Sequence, residues 1–238
     1  MKHVITLGLL LVLSWACSAA DAPHIVCIGD SITQGSDHMA KGQSTQSWRY
    51  PLWKKCVDAG FPVTFVGSMT TGFEGSPAYP DYQGHAFTNA HEARWGWPTD
   101  KVNNILRDAS KSWVADIAII MLGDNDQDKK TTFVPTLNAM RSIVDTLRGR
   151  NQKVKIAIAE PYSEWKPMPE MATAFAMLAQ ELNSAPSPVI AISTSVGWIS
   201  NPDSPGTCTV DWIHPNAIGD ERLGLVIFQG IRPWLEGK

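Results

Sequence analysis

Residues 25–35, IVCIGDSITQG, pass abruptly from an apolar run to Gly29, Asp30 and Ser31. An apolar run with β-branched residues at successive positions is typical of a strand buried on both faces, as in a parallel sheet. Gly, Asp and Ser favour turns, so the chain is expected to leave the sheet here. Ser31 would then lie just past the carboxyl end of the strand, where open α/β sheets bind ligands. Taken alone, the tripeptide is explained equally well by an ordinary turn.

Four further apolar runs come later in the chain, separated by segments with helical periodicity. In the clearest of these, 131–148, apolar residues recur at helical steps and Gly149 supplies a stop. This alternation predicts an open, doubly wound α/β sheet of about five parallel strands, with an irregular segment, 68–98, folded over its carboxyl edge. The predicted strands are 24–29, 63–67, 116–122, 153–159 and 189–193, and the predicted helices are 47–59, 99–111, 131–148, 169–182 and 217–235.

Length and charge limit the classes of protein to consider. The 238 residues suit one well-packed α/β domain. The formal net charge is only -3, and the densest basic runs are pairs such as Lys54-Lys55, which usually lie on solvated faces. We therefore expect no nucleic acid partner.

The first residues differ in composition from the rest of the chain. Lys2 precedes an apolar stretch, 4–16, which is succeeded by small residues. This pattern is typical of a secretory signal peptide, with cleavage expected after Ala20 or, as second choice, Ala19. The mature protein is thus expected to be secreted or periplasmic, without stable membrane insertion. The predicted organisation is a signal peptide, 1–20, and one domain, 21–238.

The four cysteines become three if Cys17 leaves with the signal peptide. Lipid attachment at Cys17 is a less favoured alternative, because its neighbours suit a lipoprotein signal poorly. An odd number leaves at least one thiol unpaired. Cys27 lies in a predicted buried strand, and pairing of Cys56 with Cys208 stays open. The sequence has no CxxC motif and so signals neither a zinc site nor a redox pair.

A carboxylate and an imidazole lie close together near the end of the chain. In DWIHP, Asp211 precedes His214 by three positions. A serine hydroxyl needs a base to accept its proton, and the base works best when a carboxylate fixes its tautomer and offsets its charge. The pair is therefore a candidate partner for Ser31, although a histidine before proline is also common on surfaces.

Acyl transfer also requires donors for the oxyanion of the tetrahedral intermediate. Asn125 directly follows the third predicted strand, so its amide falls at the same sheet edge as Ser31. The backbone N–H of Gly96 is a second candidate, because glycine allows close approach to a substrate. Either residue alone also fits an ordinary turn.

These elements together resemble the GDSL or SGNH hydrolases, a superfamily of serine esterases and lipases. The blocks span nearly the whole mature chain, and the first and last are fairly specific. They are GDSIT (29–33), Gly96, GDND (123–126) and DxxHPN (211–216).

Two further stretches resemble one branch of that superfamily, the acetyl xylan esterases of carbohydrate esterase family three. They are SWRYPLWKKCVDAGFPVTFVGS (47–68) and HEARWGW (91–97). The resemblance implies an SGNH hydrolase catalytic domain with a three-layer, flavodoxin-like sheet and no metal or other cofactor. It also implies a secreted serine esterase that removes acetyl groups from a polysaccharide such as acetylated xylan.

The resemblance assigns roles to individual residues. Ser31 would be the nucleophile, His214 the general base and then acid, and Asp211 the residue that orients His214. The backbone N–H groups of Ser31 and Gly96 and the side-chain amide of Asn125 would form the oxyanion hole.

The sequence departs from the family pattern at two positions. Asp124 stands where the family commonly has Thr, and a carboxylate facing the oxyanion would oppose its charge, so we expect Asp124 to point away. Arg94 stands where relatives often have a small residue or histidine, and it is a candidate for reshaping the acyl pocket.

Three tryptophans flank the proposed site residues. Flat aromatic faces can stack on sugar rings, although burial is the commoner use of tryptophan. The candidate substrate-binding residues are Asp30, Trp95, Trp97 and Trp212.

Two other kinds of site are disfavoured. Asp124, Asp126 and Asp128 alternate as in a calcium loop, but Lys129 stands where that loop needs glycine. Thr33 replaces the last glycine of a G-x-S-x-G elbow, which disfavours an ordinary α/β-hydrolase.

Two functional alternatives stay open: a lipase or thioesterase acting on longer acyl chains, and an inactive carbohydrate-binding relative. The intact candidate residues argue against the second. We expect the partner to be a small ester or an acetylated polysaccharide, and the protein to be a monomer.

Overall fold

The computed structural model describes residues 22–38, 43–126, 133–162 and 168–237. The predicted signal peptide and Cys17 lie outside these ranges and stay predictions. Within the described ranges, no helix is long and apolar enough to cross a membrane.

A mostly parallel sheet lies at the centre of the fold. The strands of this sheet and of a small separate hairpin are β1 (His24–Gly29), β2 (Ser36–His38), β3 (Gln43–Thr45), β4 (Thr64–Val66), β5 (Glu92–Ala93), β6 (Ile117–Met121), β7 (Lys155–Ala159) and β8 (Val189–Ile192). The order across the sheet is β4-β1-β6-β7-β8, while β2 pairs with β3 and forms one isolated bridge through Ser36 to Phe73. Numbered among themselves, these five strands have the flavodoxin-like order 2-1-3-4-5. The predicted α/β fold is confirmed, and all five predicted strands are present.

Strand β1 has two short parallel partners along one edge. β4 pairs with its first half, where Ile25 lies opposite Phe65, and β5 pairs with its last residues, where Gly29 lies opposite Ala93. β5 belongs to the segment 68–98 and was not predicted, because two residues carry no periodicity. Its effect is to bring the residues after Ala93 to the carboxyl end of β1, beside Ser31.

Helices cover both faces of the sheet. They are α1 (Ser31–Gln34), α2 (Arg49–Asp58), α3 (Thr99–Ala109), α4 (Val134–Arg150), α5 (Met168–Leu182) and α6 (Ala217–Leu235). In β1, Ile25 and Cys27 join the core cluster of α2 and α6, whereas Val26 and Ile28 join that of α3, α4 and α5. This alternation explains why the strand is apolar at every position. The five predicted helices are present, and α1 is an additional short one.

The three described cysteines are buried and free. Cys56 and Cys208 therefore do not form a disulfide. Burial raises the pKa of the thiols of Cys27 and Cys56 to about 12. Both thiols are protonated at neutral pH and act as small apolar core residues.

Gly224 lies where α6 crosses α2. A Cβ at this position would lie 2.7 Å from Pro51 Cβ and 2.8 Å from the backbone nitrogen of Leu52. We expect Gly224→Ala to lower the free energy of unfolding by about 1–3 kcal/mol, because the backbone of α2 would have to shift. Gly149→Ala is the control: no atom lies within 4 Å of its added Cβ, so this helical substitution should raise stability by roughly 0.5–1 kcal/mol. Equal effects in urea unfolding would contradict close packing of the two helices.

Candidate active site

Ser31 is the first residue of α1 and directly follows the turn out of β1. Asp30 caps this helix, because its Oδ1 accepts the backbone N–H of Ile32 at 3.0 Å. A Cβ at Gly29 would lie 2.1 Å from Thr33 Oγ1, so the tight exit from the strand requires glycine. The turn thus holds the Ser31 side chain at the carboxyl edge of the sheet, as predicted.

His214 lies between Ser31 and Asp211. Its Nε2 is 3.1 Å from Ser31 Oγ, and its Nδ1 is 2.7 Å from Asp211 Oδ2. Asp211 Oδ1 also accepts the backbone N–H of His214 at 2.7 Å. Burial would raise the pKa of Asp211, but hydrogen bonds from the side chain and backbone of His214 lower it to about 2. Asp211 is therefore ionised at neutral pH and can accept a proton from His214 Nδ1, in which case Nε2 is the ring nitrogen that faces Ser31 Oγ.

Two side chains hold the loop that carries His214. The Tyr162 hydroxyl donates to the carbonyl of Ile213 at 2.6 Å, and Thr209 Oγ1 accepts the N–H of Trp212 at 3.1 Å. Trp212 itself has a φ of +76°, which is unfavourable for a bulky side chain and must be held by such contacts. Tyr162 was not predicted, since it follows β7 in a stretch without a recognisable motif.

Asn125 lies beside the turn that connects β1 to Ser31. Its Nδ2 donates to Asp30 Oδ2 at 3.1 Å. Asp30 is only 1% exposed, and both of its oxygens accept hydrogen bonds from within the protein. The prediction that Asp30 contacts substrate is therefore wrong: its carboxyl caps α1 and orients the amide of Asn125.

Gly96 is exposed and has a φ of +71°, a conformation that favours glycine. The residues that precede it are hydrogen-bonded to the segment 29–34, which contains Ser31. The backbone N–H of Trp95 donates to Gln34 Oε1 at 2.6 Å, and that of Arg94 donates to the Gly29 carbonyl at 3.1 Å. Gly96 is thereby held close to the turn of Ser31.

The three candidate tryptophans have different surroundings. The indole of Trp95 stacks on His214 and on Phe73, and contact of its remaining partly exposed surface with substrate stays a prediction. Trp97 packs against the core under the guanidinium of Arg94, which lies 5.9 Å from the ring centroid. Only Trp212 of the three is exposed, at 40%.

Arg94 is directed to the buried carboxylate of Glu92. Its Nη2 lies 2.8 Å from Glu92 Oε1, which also accepts the hydroxyl of Ser68 at 2.9 Å. The other oxygen of Glu92 accepts the indole N–H of Trp113 at 3.3 Å. The guanidinium therefore stabilises the segment around β5, which is a different role from reshaping an acyl pocket.

The charge of Asp124 acts on the site. The pKa of Asp30 lies well above its usual value, first because of burial and second because of the negative charge of Asp124. The ionised form of Asp30 is thereby disfavoured beside Asn125. That the Asp124 carboxylate points away from the oxyanion stays a prediction.

Asp126, the last residue of the GDND block, has a structural role. Its Oδ2 accepts the hydroxyl of Thr99 at 2.9 Å, and its Oδ1 accepts that of Thr136 at 2.6 Å. It thereby ties the loop after β6 to α3 and α4. Within the described ranges, no group of three or more His, Cys, Asp or Glu is arranged to hold a metal ion, and Asp128 and Lys129 lie outside those ranges.

A serine hydroxyl, an imidazole and a carboxylate in one hydrogen-bonded line, at the edge of a doubly wound sheet, are typical of serine hydrolases. Comparison with known families agrees. The model of the GDSL-like lipase/acylhydrolase family matches residues 27–222, and the chain belongs to this family. It is a carboxylic ester hydrolase of GDSL type.

Solved structures with similar folds include three esterases. A carbohydrate esterase family 3 protein from Talaromyces cellulolyticus is 24% identical, with a TM-score of 0.73 over 91% of this chain and 99% of that one. A mutant acetyl esterase with acetate ion is 23% identical, with a TM-score of 0.73 over 90% and 99%. A family 3 carbohydrate esterase from Clostridium thermocellum is 18% identical, with a TM-score of 0.70 over 91% and 98%. The chain shares their fold. A search of curated protein sequences gave no match.

Substitution of the three residues in line should have graded effects. We expect Ser31→Ala and His214→Ala each to lower kcat/KM on an activated ester by about 10⁵-fold or more. Asp211→Ala should cost roughly tenfold to a hundredfold less, because Tyr162 and Thr209 still hold the loop of His214. Steady-state kinetics on 4-nitrophenyl acetate measure all three, and equal losses would contradict a partly redundant orientation of the imidazole.

Proposed function

We propose that the protein is an exported serine esterase that removes acetyl groups from a polysaccharide such as acetylated xylan. The observation that carries the proposal is the unbroken line from Ser31 Oγ through His214 to the ionised Asp211, with distances of 3.1 and 2.7 Å. The predicted signal peptide, 1–20, is the ground for export.

In the first step, Ser31 Oγ attacks the ester carbonyl while its proton moves to His214 Nε2. The resulting imidazolium keeps its hydrogen bond to Asp211, whose negative charge offsets the new positive charge. His214 then gives the proton to the oxygen of the leaving sugar, and an acetyl-serine forms. Water deprotonated by the same nitrogen releases acetate in the second half of the cycle.

The oxyanion needs donors that face it before the reaction begins. We assign this role to the backbone N–H groups of Ser31 and Gly96 and to the side-chain amide of Asn125. Glycine at position 96 allows its N–H to be presented from an exposed, left-handed turn.

Two observations support a short acyl group on a carbohydrate. The solved structures that share this fold include two proteins named as family 3 carbohydrate esterases and one named as an acetyl esterase. Trp212, two residues before His214, is 40% exposed and offers an aromatic surface at the rim of the site. A lipase or thioesterase acting on longer chains is the alternative that the family name itself raises.

The test compares esters of different chain length and origin. Purified protein and its Ser31→Ala variant are assayed for acetate release from acetylated xylan and for hydrolysis of 4-nitrophenyl acetate, butyrate and octanoate. We expect the acetyl substrates to be cleaved, the octanoate to be cleaved at least about tenfold more slowly, and Ser31→Ala to be inactive. A preference for octanoate would favour the alternative, and a Ser31→Ala variant as active as the wild type would refute a serine mechanism.

The role of Trp212 has a separate test. Asn tolerates positive φ, so Trp212→Asn removes the ring with little effect on the backbone. We expect KM for acetylated xylan fragments to rise about threefold to tenfold, the value of one aromatic contact, with KM for 4-nitrophenyl acetate unchanged. A parallel change on both substrates would instead indicate a disturbed catalytic loop.

A further inference from the structure

The hydrogen bond from His214 to Asp211 acts in the plane of the imidazole. It holds Nδ1 at 2.7 Å but makes no contact with either face of the ring. A tilt of the ring about its Cβ–Cγ bond would move Nε2 away from Ser31 Oγ. A second restraint has to act on the face of the ring.

The indole of Trp95 supplies that restraint. Its ring centroid lies 4.5 Å from that of His214, with an angle of 11° between the planes. Phe73 stacks on the same indole at 4.7 Å and 18°. Three aromatic rings thus form one nearly parallel stack that includes the imidazole.

The stack is built on the segment that carries the nucleophile. Gln34, in α1 with Ser31, accepts the backbone N–H of Trp95 at 2.6 Å. The backbone N–H of Phe73 donates to the carbonyl of Gly35 at 2.9 Å. A displacement of the stack relative to Ser31 would break both bonds, so the stack fixes the imidazole in the frame of the serine.

We propose that Trp95 is a positioning residue, which holds the face of His214 and favours the imidazolium that forms as Ser31 loses its proton. The face of an indole attracts a cation more strongly than a neutral ring. The contact is therefore stronger after proton transfer than before it, which is the condition for lowering the barrier. This inference rests on the proposed function, in which His214 is the base.

Several titratable groups surround the imidazole. Asp211 lies on the loop of His214, Asp30 lies beside Ser31, and Asp124 follows β6. Burial first, and then the charges of Asp124, Asp30, Asp220 and Asp211, raise the pKa of Tyr162, whose hydroxyl binds the same loop. Removal of Trp95 leaves these carboxylates in place, so its own effect on titration can be measured.

Trp95→Leu is the principal variant and Trp97→Leu its matched control. Both remove an indole next to Gly96, but only Trp95 touches His214. For Trp95→Leu we expect kcat on 4-nitrophenyl acetate to fall about tenfold, KM to change less than about twofold, and the acid limb of the kcat/KM profile to shift down by about half a pH unit or more. Trp97→Leu, through its effect on Gly96 and the core, should lower kcat or the melting temperature without moving the acid limb.

Two further variants distinguish loss of the stacking contact from a general disturbance of the fold. Trp95→Phe keeps a ring and should give the same changes at smaller size. Because Trp95 and Asp211 restrain the same imidazole, Asp211→Ala should cost more in the Trp95→Leu background than in the wild type. Additive losses, or an acid limb that stays at the wild-type position in both Trp95 variants, would overturn the inference while leaving the proposed function intact. An active Ser31→Ala variant would overturn both.

Discussion

The guanidinium of Arg49 is completely buried, and the position of the short helix that begins with Ser31 depends on it. Helix α1 has only four residues, too few to be stable by itself, and its last carbonyls lack partners within the helix. Arg49 Nε donates to the carbonyl of Thr33 at 2.7 Å, and its Nη2 donates to that of Gln34 at 3.1 Å. The cation thus closes the carboxyl end of the helix whose first residue is Ser31.

The charge of Arg49 also acts on helix α6, which follows the loop of His214. Asp220, in the first turn of α6, is buried and accepts the hydroxyl of Thr45. Burial raises the pKa of Asp220 to about 7, although the hydrogen bond from Thr45 and the charge of Arg49 lower it. The N–H of Asp220 donates to the carbonyl of Asn216, two residues after His214. The turn of Ser31 and the loop of His214 are therefore both fixed relative to one charged cluster inside the domain.

Local patterns were sufficient to predict the sheet and the line of site residues. The strands are short runs of β-branched residues, and Ser31, Asn125, Asp211 and His214 lie within a few residues of an element end, so each could be placed from its own neighbourhood. The other contacts join distant segments. Nothing in the neighbouring sequence indicates the stack of Trp95 on His214 or the hydrogen bond of Tyr162 to Ile213. Asp30 was predicted to contact substrate because the sequence does not show that its side chain turns back to cap α1.

The site has to favour a cation and an anion within a few ångströms of each other. Carboxylates next to His214 stabilise the imidazolium, but a carboxylate near the oxyanion opposes it. The arrangement separates the two demands. The pKa of Asp211 is lowered to about 2, so this carboxylate is charged where the imidazolium forms. The pKa of Asp30 is instead raised by burial and by Asp124, which favours the neutral form beside Asn125. The charge of Asp124 thus disfavours a second negative charge on Asp30, beside Asn125.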